Sequence, residues 1–118
     1  MLKDHGKNYG DLQKLLTQMK DEIPTVMTHF SNLQKDVMAD GALTGKTKEL
    51  IALGIAITNR CDGGIPNHIK NALDAGASFS EIMETIGVSI LMGGSMALVN
   101  GCEALEALDQ FIVLEKNG

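Results

Sequence analysis

The stretch "KELIALGIAITNRCDGGIPNH", residues 48–68, decides how this chain reads. Leu50, Ile51, Leu53, Ile55 and Ile57 cover most of a helical circumference, which predicts a central, largely buried helix over 44–60. Thr44 is a good N-cap for it. Cys61, Asp62, Gly63 and Gly64 then form a turn. A further helix, "IPNHIKNALDA" (65–75), starts within that turn. Pro66 fits only its first turn, because a deeper proline would remove a ladder bond and clash. One acid, Glu49, stands in the apolar run, and His68 lies on the helix that follows.

The rest of the chain is also helical in pattern. Leu12, Leu15, Leu16 and Met19 recur at i, i+3, i+4, i+7 in "DLQKLLTQMKDEI" (11–23). Pro24 suits the first turn of "PTVMTHFSNLQKDVMAD" (24–40), and Gly41 is a plausible stop after it. "SFSE" (78–81) is a capping box for a fifth helix. "GGS" at 93–95 should break the chain again, with Ser95 capping a sixth helix toward Phe111. Runs alternating β-branched and aromatic residues are almost absent. The expected fold is all-α, a bundle of about six helices in a single domain over 1–118.

Composition narrows the function. Of 118 residues, 44% are hydrophobic and 21% charged, which fits a globular chain. Aromatics are 3% and seven methionines help fill the core, with Met83, Met92 and Met96 read as core residues. The net charge of −5 and the scattered lysines leave no basic stripe, so nucleic acid is not an expected partner. "MLKDHGKNYG" has no apolar signal region, and the apolar run near "VSILMGGSMALV" is short and glycine-broken, so no membrane span is expected. Two cysteines without an export signal point to the cytoplasm. No Cys, His and carboxylate set has metal-ligand spacing, and no cofactor is expected. His5 and His29 carry no supporting pattern.

A cysteine just before a helix N-terminus feels the positive end of the dipole and its unpaired amides, both of which favour thiolate. Position 64 is where a Cys-x-x-Cys pair would place its second thiol, one turn before His68 on the same face, and it is Gly. Without wider context Cys61 reads more readily as an inert, small apolar turn residue than as a reactive thiol. Cys102 reads as a packed cysteine on a helix, and a resolving role opposite Cys61 would need their Cα atoms within about 7 Å. Glu49, if partly buried, needs a partner such as His68 and has a raised pKa.

The spacing Glu-x11-Cys-x2-Gly-x3-His, followed by "GASFSEIMETIGVSILMGG" (76–94), resembles the alkylhydroperoxidase D-like branch of the carboxymuconolactone decarboxylase family. The likeness covers about residues 40–110. It implies an all-helical homo-oligomer, a trimer or hexamer, with a dithiol cycle that reduces peroxides or a partner's disulfide. Glu49, Cys61 and His68 match the family's site, whereas its more nucleophilic cysteine falls on Gly64. The resemblance therefore implies a thiol-dependent peroxide or disulfide reductase, altered at position 64, with a small peroxide and a thiol donor as partners. Two alternatives stand beside it. One is a cysteine-independent decarboxylase using Glu49 and His68, with Arg60 as the only arginine for a substrate carboxylate. The other is a non-enzymatic oligomer of the same fold.

Overall fold

The computed structural model describes residues 3–60 and 64–117. Five helices follow in order: α1 (His5–Glu22), α2 (Pro24–Met38), α3 (Gly45–Thr58), α4 (Gly64–Asp74) and α5 (Phe79–Asn117). There is no strand among the described residues, and the fold is all-α as the hydrophobic spacing predicts.

Local chemistry explains the boundaries. The Asp4 carboxylate accepts from the Lys7 amide at the start of α1. Thr44 caps α3 by accepting from the Thr47 amide, as expected. Ser78 and Glu81 form the predicted box at the start of α5, each side chain accepting from the other's amide at 3.1 and 2.9 Å. Pro24 opens α2, but α2 stops before the expected glycine, with Ala39 already extended. Its last carbonyls find a donor from outside, because the Lys48 ammonium donates to Val37 and Ala39.

The sixth helix expected from "GGS" is the second limb of α5. Gly94 sits at φ 70° and ψ −150° inside that element and bends it. The limbs 79–93 and 95–117 fold against each other, since a Cβ on Gly101 would lie 2.9 Å from Ile86 Cγ2. By length and composition alone α5 is apolar enough to cross a membrane. Bent at Gly94, its first limb is about 22 Å long, short of a hydrocarbon core of about 30 Å.

The core lies where α3, α4 and α5 meet. Leu53 and Ile57 from α3, Ile65 and Ile69 from α4, and Ile82 and Leu108 from α5 are fully buried. Each contributes about 1.5–3 kcal/mol by leaving water. The expectation that α3 is buried on most sides is corrected here: Ile51 and Ile55 are half-exposed, because only one flank of α3 meets α4 and α5. Met92 and Met96 also lie outside the core, at 74% and 52% exposure, while Met83 packs against it. Helix α2 buries no residue at all.

Candidate functional site

Glu49 lies in the second turn of α3, half-buried. It lines an open cleft of about 470 Å³ walled by Ser31, Gln34 and Met38 of α2 and by Asn71 and Asp74 of α4. Its Oε2 is buried without a hydrogen-bond partner, and burial pushes the carboxyl above its ordinary range.

His68 is half-buried on α4 and does not line that cleft. It shares a helix face with Asn71, three residues on, which separates them by about 4.5 Å along the axis. Its Nδ1 is buried and unpartnered, and burial pushes the imidazole below its ordinary range. No hydrogen bond joins Glu49 to His68. Both shifts come from burial and favour the uncharged forms, on the facing helices α3 and α4. Each group has one open valence for a proton-carrying partner.

Gly64 is the first residue of α4. Cys61 lies outside the described residues. Arg60 is the only non-glycine residue with positive φ, at 58°, among the described residues. A side chain there costs about 1–2 kcal/mol. Its amide donates to the Ile57 carbonyl at 3.4 Å, a helix-ending turn in which glycine is usual. The same carbonyl accepts from Asn100 Nδ2 at 2.9 Å, across from α5.

Cys102 is exposed, which corrects the reading of a packed core cysteine. The buried stripe of the second limb of α5 runs through Ala97, Gly101, Ala104 and Leu108, and Cys102 is one residue off it. Among the described residues no cluster of three or more His, Cys, Asp or Glu side chains is placed to hold a metal ion.

Sequence patterns missed several of these residues. His5 is 1% exposed, and its Nε2 donates to the Glu106 carboxylate at 2.8 Å. Lys3 donates its amide to the same oxygen, and that bond, together with His5, holds the Glu106 carboxyl below its ordinary range. Contacts spanning about a hundred residues leave no periodic trace. Asn100 and Asn71 could have been noticed as polar residues beside apolar stripes, but nothing in the sequence says what they face.

The model of the carboxymuconolactone decarboxylase family matches residues 24–107. The chain belongs to that family. A carboxymuconolactone decarboxylase family protein from Legionella pneumophila, solved in apo form, is 37% identical. It superposes with a TM-score of 0.87 over 91% of this chain and 96% of that one. A family protein from Thermotoga maritima, for which involvement in antioxidative response has been suggested, is 30% identical with a TM-score of 0.82. That likeness covers 93% of this chain and 94% of that one. An uncharacterized protein of the cox locus of Paracoccus denitrificans is 41% identical over 81 residues, 69% of this chain and 73% of that protein. In this family member the two buried, unpartnered groups, Glu49 and His68, sit on the helices either side of the segment that carries Cys61.

Proposed function

We propose that this protein is a thiol-dependent reductase of hydroperoxides in which Cys61 is the nucleophile and Glu49 and His68 move protons. The observation that carries it is the pair of buried, unpartnered polar atoms, Glu49 Oε2 and His68 Nδ1, on the helices that flank the Cys61 segment. Burial shifts both groups toward their uncharged forms. Shifts of this kind are a mark of general acid and base sites. The antioxidative role suggested for the Thermotoga maritima relative supports the same reading.

The Cys61 thiolate attacks one peroxide oxygen. An S–O bond forms, the O–O bond breaks, and the leaving alkoxide takes a proton from the Glu49 and His68 pair to become an alcohol. Cys61 is left as a sulfenic acid. With Gly at 64 no second motif thiol is present, so an external thiol attacks the sulfur and hydroxide departs as water. A second external thiol then releases Cys61 and leaves as a disulfide. One hydroperoxide and two thiols give one alcohol, one water and one disulfide.

A second reading rests on the cleft at Glu49, which has room for a small carboxylic acid. On that reading Glu49 and His68 are acid and base without any thiol, and Arg60 is the only arginine for a substrate carboxylate. Of the three, only Glu49 lines the cleft.

We also propose that the protein works as a homo-oligomer, a trimer or hexamer on the family likeness, in the cytoplasm. The chain exposes 7485 Å². A folded monomer of its mass exposes about 6200 Å². The surplus, roughly 1300 Å², is of the size that one subunit buries in an obligate interface, which supports this reading.

The test is the rate of Cys61 alkylation against pH, with hydroperoxide consumption in parallel. Cys61→Ala and His68→Ala serve as controls. A thiol pKa well below about 8.5, dependent on His68 and accompanied by turnover, supports the one-cysteine enzyme. An inert Cys61, with turnover only in Gly64→Cys, overturns it.

A further inference from the structure

Two consecutive residues at the end of α3 are gripped by the bend of α5. Ile57 receives the Asn100 amide at 2.9 Å in a buried bond, and Asn100 is 6% exposed. Thr58 lies against Gly93, where an added Cβ would come within 3.4 Å of Thr58 Cγ2. The carbonyls of a last helical turn lack intrahelical donors, so a donor from a neighbouring helix fixes where that turn ends. Arg60 then follows in the left-handed conformation, which non-glycine residues hold only when their surroundings impose it. Nothing in the proton chemistry of Glu49 and His68 needs a buried asparagine on α5, yet it is aimed at the carbonyl four residues before Cys61.

We propose that Asn100 is a positioning residue for the Cys61 chemistry, acting through the Ile57 carbonyl and the left-handed Arg60 to set the direction in which α3 delivers the chain to Cys61. This rests on the thiol reading given above. Asn100 touches no substrate. Its bond fixes where α3 ends, and Cys61 follows four residues later in the sequence. That is three before the first residue of α4, whose N-terminal amides favour a thiolate.

The experiment compares Asn100→Ala with Ser89→Ala, both in a Cys102→Ser background that leaves Cys61 as the sole thiol. Ser89 also donates from α5 to an α3 carbonyl, that of Gly54 at 3.3 Å, but further from the α3 exit. The readouts are melting temperature, Cys61 alkylation against pH, and amide exchange at residues 59 and 60. Both variants should melt earlier. Only Asn100→Ala should raise the Cys61 pKa, lowering alkylation at neutral pH by roughly threefold to tenfold as the thiolate fraction falls. Only Asn100→Ala should also speed exchange at 59 and 60. If it fails to fold, Asn100→Ser, which keeps a shorter donor, should give the same changes in smaller measure. A normal-to-low parent Cys61 pKa that Asn100→Ala and Ser89→Ala leave alike, with matching exchange, overturns the inference and spares the thiol reading. An inert Cys61 in the parent, with faster exchange at 59 and 60 only in Asn100→Ala, sinks the thiol reading while leaving the positioning of the α3 exit supported.

Discussion

The Lys48 ammonium donates to the Val37 carbonyl at 2.8 Å and thereby ties the first turn of α3 to the last turn of α2. A second bond to Ala39 completes the clamp. Helix α2 buries no side chain of its own, so this clamp is a main reason it stands over Glu49. Lys48→Met keeps the aliphatic stem and removes both bonds. Because they are solvent-exposed, the expected loss is about 1 kcal/mol in denaturant unfolding. Amide exchange along α2 should accelerate while α4 is unchanged. Equal exchange in both helices would show that something else holds α2.

Glu49 should weaken the fold near neutral pH. Burial raises its carboxyl above the ordinary 4.5, so over a window above 4.5 the folded chain keeps a proton that the unfolded chain has lost. Stability falls as pH rises through that window, and the penalty is complete above the raised value. Glu49→Gln cannot ionise. It should melt higher than the parent at pH 7 and equal to it well below pH 4.5, while peroxide turnover falls. Identical melting curves at both pH values would contradict the buried, unpaired carboxyl.

His68 gives the opposite slope. Burial lowers its imidazole below 6.5, so between the lowered value and 6.5 the unfolded chain binds a proton that the folded chain refuses. Stability therefore rises with pH across that window and is complete above 6.5. His68→Gln should flatten this rise in a melting-temperature series between pH 5 and 7.5. A series that keeps the parent's slope would assign it to another group.

The helices were legible because their signals are local: the Thr44 cap, the Ser78 and Glu81 box, and Pro24 at a first turn are each read within four residues. The families of contacts that decide burial are not local. Ile51 and Ile57 are equally apolar, yet Ile57 is fully buried and Ile51 half-exposed, and only the direction of α5 decides which. Glu49 and His68 were recognisable through their spacing, a property of the primary sequence. Asn100 and His5 were not, because their partners lie 43 and 101 residues away.

Two glycines of α5 should respond oppositely to the same substitution. Neither Gly87 nor Gly94 has an atom within 4 Å of an added Cβ, so sterics with neighbours do not distinguish them. Gly87 is helical and exposed, and Gly87→Ala should stabilise by about 0.5–1 kcal/mol. Gly94, at φ 70° and ψ −150°, occupies a region open almost only to glycine, and Gly94→Ala should cost about 1–3 kcal/mol. Urea unfolding of the two variants checks the sign. A stabilised Gly94→Ala would mean that the bend is not held in solution.

Phe30 separates self-assembly from folding. Ile23, Val26, Phe30, Leu33 and Val37 repeat at alternating spacings of three and four along α2, the pattern of a helix that packs on another. All five are more than 40% exposed in the single chain. Because Phe30 is 58% exposed, Phe30→Glu should leave subunit stability within about 0.5 kcal/mol. Placed in an apolar interface, the same carboxylate would be buried unpaired and would oppose association. Sedimentation at micromolar concentration should show an oligomer for the parent and lighter species for Phe30→Glu. If the variant sediments as the parent's oligomer, the α2 stripe is not the interface, and the exposed faces of α3 and α5 at Ile55 and Leu91 become the surface to substitute next.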